Sequence, residues 1–75
     1  MSYANNRSFH YVCGYRFRKA AEECSELSAE LLKCVNKCDL NPDNSEFQRR
    51  CKKIFSEIND VRKQIILVEK IVNTT

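Results

Sequence analysis

Five acidic residues in this 75-residue chain are set apart by their spacing. Glu22, Glu23 and Glu26 read EExxE, and Glu57 and Asp60 read ExxD. Positions i and i+3 are neighbours on a helix, so Glu23/Glu26 and Glu57/Asp60 each put two carboxylates on one patch. Like charges that close repel unless a proton or a cation neutralises them. Hard oxygen donors gathered this way suit Mg²⁺ or Mn²⁺, ions that also take phosphate oxygens. If the two patches meet, the chemistry is metal-assisted work on a phosphate chain. The plain alternative is a pair of acidic surfaces flanking a helix seam and making ordinary ion pairs.

Whether the patches meet depends on the elements that carry them. One break stands out, at Cys38-Asp39-Leu40-Asn41-Pro42-Asp43-Asn44-Ser45. Asp and Asn favour turns, and Pro excludes the residue before it from the helical region. Asn44 or Ser45 can cap the next helix, with Asn41 and Pro42 as a competing start. Past the break, Phe47, Cys51, Ile54, Ile58, Val61, Ile65, Val68 and Val72 recur at alternating steps of four and three, which is a heptad seam. Before it, Cys13, Phe17, Ala20, Cys24, Leu27, Leu31, Cys34 and Cys38 keep the same rhythm. The expectation is a helix over about 15–38, a turn at 39–45 and a helix over about 45–73. Residues 1–12 have no clear period and are expected to be irregular, with Tyr3, Phe9 and Tyr11 free to fold onto the hairpin or a partner; Gly14 weakens the first turn.

In an antiparallel hairpin, equal rotations from the two seams project to one flank. Both carboxylate pairs lie to the same side of their seams, by roughly 65–130°. Glu23 with Asp60 and Glu26 with Glu57 each have the Asn41–Pro42 bond as their midpoint, inside the predicted turn. Four carboxylates are therefore expected at one level on one flank, with Glu22 pointing further away. Lys19 and Lys53, and Arg16 at the edge, fall on that flank too, where they can meet phosphates or simply pair with the acids.

Composition narrows the class. One Gly and one Pro among 43% hydrophobic residues exclude a disordered tail and an all-β design. No apolar run is long enough for a membrane span or a signal peptide, so a cytoplasmic protein with no membrane partner is expected. Thirteen basic against ten acidic residues give a net charge of +3 with no long like-charge run, so nucleic acid is not the expected partner. All five cysteines fall on a seam, where free Cys acts as a small hydrophobe. A disulfide hairpin, suggested by the spacing of Cys24 and Cys34, lacks a matching second pair, because Cys38 and Cys51 are further apart. A second apolar strip, formed by Tyr15, Ala21, Leu32, Phe55, Ile66 and Leu67, needs another surface. The fold class expected is all-α: an antiparallel helical hairpin that dimerises into a four-helix bundle, or a higher oligomer such as a homotetramer.

The motifs EECSEL and EINDV, within FRKAAEECSELSAELLKC and IFSEINDVRKQIILVEKIV, resemble those of the MazG-like all-α nucleoside triphosphate pyrophosphohydrolases, particularly short phage-type members. The resemblance covers residues 15 to 72. It implies an Mg²⁺-dependent (or Mn²⁺-dependent) enzyme splitting a nucleoside triphosphate into monophosphate and pyrophosphate. It also implies metal ligation by Glu23, Glu26, Glu57 and Asp60 with Glu22 supporting them, and makes Glu26 or Glu22 the acceptor of the attacking water's proton. Lys19, Lys53 and Arg16 are the candidates for the phosphates. The alternative is a non-catalytic interaction or regulatory bundle whose acidic cluster is vestigial.

Overall fold

The computed structural model describes residues 6–75. Two helices, α1 (Asn6–Lys37) and α2 (Ser45–Asn73), fold back on one another as an antiparallel hairpin. The turn between them is built from side chains that compete with the helix for backbone groups. Asn41 Oδ1 accepts from the Asp43 N–H at 2.9 Å, and the Asn44 N–H donates to the Asn41 carbonyl at 2.9 Å. Asn44 then caps α2: its Oδ1 accepts from the Phe47 N–H at 2.9 Å, and Glu46 adds a carboxylate to the first turn. Of the starts the sequence allowed, Asn44 is the one used. Such a cap stabilises a helix by about 1 kcal/mol relative to alanine.

The seam that joins the helices is rotated from the expected one. Only Ala20, Glu23, Glu30 and Cys34 are buried among the described residues. Along α2 the residues turned inward are Ile54, Glu57, Val61, Gln64, Val68 and Ile71, all half-buried. Alternate members of the heptad seam lie in the open instead, among them Phe17, Cys24 and Leu31 on α1 and Cys51, Ile65 and Val72 on α2. The cysteines are therefore not a core set: Cys34 is buried, Cys13 and Cys38 are half-buried, and Cys24 and Cys51 are exposed. Geometry explains the shift. Two helices touch along the line between their axes, whereas a heptad seam points toward the centre of a bundle, roughly 45° away on each helix of a square array. Glu23, Glu30 and Glu57 occupy the places this rotation vacates.

The five cysteines are free thiols in this structure. Cys34 and Cys38 approach to 3.6 Å between sulfurs without a bond, and burial first, then the Cys34 thiol, raises the Cys38 thiol above its ordinary value.

The N-terminal expectation is corrected: the segment from residue 6 to 12, expected to be irregular, is already the first part of α1. Phe9 is half-buried there and Tyr11 is exposed, while Tyr3 lies outside the described residues. Gly14 sits inside the helix with an ordinary negative φ, so it does not terminate it.

The result is a rod of 56 × 16 × 14 Å, one helix thick. It exposes 5976 Å², against about 4,800 Å² for a compact monomer of 8.8 kDa. Large apolar side chains are part of that surface: Phe17, Leu31, Phe55, Ile65, Ile66 and Val72 are all exposed. At 3.6 residues per turn Phe17, Leu31, Ile65 and Val72 lie on one flank of the hairpin, Glu26 and Asp60 lie toward the other, and Phe55 and Ile66 lie on the outer side of α2. No helix among the described residues is long and apolar enough to cross a membrane.

Candidate metal centre

Glu23 reaches the middle of the hairpin because its helix is rotated toward α2, and it is only 9% exposed. Glu57 comes from the inward face of α2 and Asp60 from its edge, one turn further on. One carboxylate oxygen from each of Glu23, Glu57 and Asp60 lies within 4.8 Å of the others. The register has an independent mark one heptad nearer the turn, where Lys53 Nζ reaches across the hairpin to Glu30 Oε1 at 3.6 Å. That pair has the Asn41–Pro42 bond as its midpoint, as Glu23 and Asp60 do.

The charges in this group are poorly compensated. Lys19 Nζ contacts Glu23 Oε1 at 3.4 Å and is the one cation in ion-pair contact with the group among the described residues. Glu23 Oε2 and Glu57 Oε2 are buried with no hydrogen-bond partner, and so is Gln64 Oε1, one turn beyond Asp60 on α2. All three are oxygens, and none is a donor. An uncompensated buried carboxylate costs several kcal/mol, on the order of the desolvation penalty for an ion. A divalent cation with oxygen preference is the ligand that such a set of acceptors fits.

Glu26 stands outside the three-oxygen group and is exposed, yet it feels the group's charge. The Glu23 charge beside it, then loss of hydration, then the Glu57 charge hold its carboxyl above the ordinary value of 4.5. Lys19 is raised in turn, first by its hydrogen bond to Glu23. Glu22 is exposed and does not join the group. Lys53 lies one heptad away on Glu30 rather than at the carboxylates, and the Arg16 guanidinium sits 5.5 Å from the centre of its neighbour's ring, Tyr15.

Two residues of the site were not singled out from the sequence, Glu30 and Gln64. Both were findable by period: Glu30 is one heptad after Glu23, and Gln64 one heptad after Glu57. Comparison with protein-family models, with curated proteins and with solved structures finds no match to this chain.

Proposed function

We propose that this chain is a divalent-metal-dependent nucleoside triphosphate pyrophosphohydrolase of the MazG-like kind, releasing the monophosphate and pyrophosphate. The observation that carries the reading is the convergence of Glu23, Glu57 and Asp60 with two of their oxygens buried and unpartnered. Those three residues would hold Mg²⁺ or Mn²⁺, with Glu26 at the edge as a further ligand or as the base. A divalent ion in such a setting supplies charge neutralisation along the phosphate chain and a lowered pKa for a water.

The side chains account for the remaining steps. With an ion bound, Glu23 from α1 and Glu57 and Asp60 from α2 would set where positive charge meets the phosphate chain. Glu26 accepts the proton of the water that attacks the α-phosphorus, as the bond to the β-phosphate breaks and pyrophosphate leaves. Position favours Glu26 over Glu22, since Glu26 lies beside Glu23 and near Glu57 while Glu22 does not join the group. In the proposed assembly, two hairpins pair through their apolar flanks into a four-helix bundle, which leaves both charged flanks open.

The test is pyrophosphate release from mixed nucleoside triphosphates with Mn²⁺ or Mg²⁺, with Mn²⁺ binding followed by calorimetry. Wild-type protein should bind the ion stoichiometrically and release pyrophosphate. Glu57→Gln should lose both, the affinity falling by more than the roughly 10–100-fold typical of outer-shell changes. A second reading, a non-catalytic interaction module, draws on the exposed apolar flank. It predicts no stoichiometric Mn²⁺ binding, and that result would remove the enzyme.

A further inference from the structure

Along the flank that carries the carboxylates, the charge changes sign within one heptad. Stepping seven residues toward the turn replaces Glu26 with Lys33, Glu57 with Arg50 and Asp60 with Lys53, while Glu23 is followed by Glu30 and then Lys37. A heptad returns nearly to the same helix face, so these residues continue the same groove. The structure forms a recess of about 280 Å³ there, lined by Glu30, Lys33, Lys37, Arg49, Arg50 and Lys53.

The recess is a built arrangement rather than a scatter of surface lysines. Glu30 is itself 8% exposed and anchors Lys33 and Lys53 from the two helices, each at 3.6 Å from its Oε1. Glu46 fixes both arginines, Arg49 at 2.7 Å and Arg50 at 2.9 Å. Five cations thus face one pocket with Glu30 as the one carboxylate in its wall. The Glu30–Lys53 level lies about 6 Å along the axis from the Glu26–Glu57 level, comparable with the length of a short phosphate chain.

We propose that this basic groove binds the terminal phosphates of an oligophosphate chain, so that the substrate lies along the hairpin with its pyrophosphate end toward the turn. The orientation rests on the metal reading for what occupies the acidic end, but affinity of the groove for an oligophosphate does not need the metal. The alternative occupant of a basic groove, a nucleic acid strand, would ask for positive charge continuing along the rod. Here the charge turns negative within one heptad, which limits the anion to a short one.

The probe is inorganic tripolyphosphate, titrated calorimetrically in excess chelator. Wild-type protein should bind it. Lys33→Gln with Lys37→Gln should weaken binding by about tenfold or more, since two charge-assisted contacts to the anion are lost. Lys52→Gln with Lys63→Gln removes the same charge from the exposed back of α2 and should change affinity by less than about twofold. No binding by the wild type, or an equal loss in both double variants, would overturn the proposal. Circular dichroism of each protein excludes unfolding as the cause of a loss. Mn²⁺ titration of the same proteins reads the metal centre separately. Metal binding without tripolyphosphate binding removes the groove and leaves the centre; tripolyphosphate binding without metal binding does the reverse.

Discussion

Single carboxylates in this hairpin differ in what folding does to them, and the difference has a sign that can be measured. Glu26 titrates above 4.5 in the folded chain because Glu23 and Glu57 are charged beside it. Between the unfolded and folded values the native state holds more protons, so the contribution of this group falls as pH rises through that window. Glu46 is the reverse: Arg49 first, then Arg50, hold it below 4.5, so its contribution is present above that value and lost as pH falls through its folded pKa. Metal-free protein should therefore gain melting temperature as pH falls through the folded value of Glu26 toward 4.5, then lose it below. Mn²⁺ should flatten the upper limb, and Glu26→Gln should abolish it, both read by thermal circular dichroism. A melting temperature that rises toward neutral pH without metal would show that the acids do not repel. Motif spacing by itself makes Glu23, Glu57 and Asp60 legible as a group. It does not indicate that Glu23 enters the helix interface, because that depends on a rotation of the seam, which periodicity alone leaves free.

At the scale of the elements, the hairpin follows from punctuation and period. Asp39, Asn41, Pro42 and Asn44 marked the turn correctly, since each has a local reason to leave the helix. The start of α1 was not legible, because Gly14 reads as a weak first turn while tertiary contact carries the helix seven or more residues further back. Phe9 and Cys13 are half-buried and line one apolar recess with Ile71 at the free end of the hairpin, so the early turns of α1 gain burial that propensity does not count. Gly14 then remains as a cost inside a formed helix. Gly14→Ala should raise stability by about 0.5–1 kcal/mol, since its backbone is ordinary and alanine narrows the unfolded ensemble. An added Cβ meets only the guanidinium end of Arg18, at 3.4 Å, which can move aside. The measurement is a denaturant midpoint at fixed protein concentration; a lower midpoint would mean that Arg18 is held in place by something else.

For the whole molecule, the decisive quantity is apolar surface that the hairpin cannot cover by itself. Its total exposed surface is about 1,200 Å² larger than that of a compact chain of its mass, and Phe17, Leu31, Ile65 and Val72 are among the side chains it leaves exposed. The direction of that surface matters as much as its area. On both helices the heptad seam points roughly 45° off the line joining them, and to the same side, which is the direction of the centre of a square bundle. In the proposed dimer a second copy would supply the matching face, because a two-fold axis along that side would bring Leu31 and Ile65 against their own equivalents. Sedimentation equilibrium should give twice the chain mass at micromolar concentration. Leu31→Lys with Ile65→Lys should give the single chain, since both side chains are exposed in the hairpin and the change leaves the contacts between α1 and α2 in place. Helicity should fall with the dimer on dilution, because a core of Ala20 and Cys34 is too small to hold the rod together by itself. A single chain that stays fully helical at any dilution would break the link between the exposed flank and assembly. The carboxylates lie on the opposite flank, so Mn²⁺ binding lost in step with helicity would show that pairing acts on the metal centre through the fold rather than by direct contact.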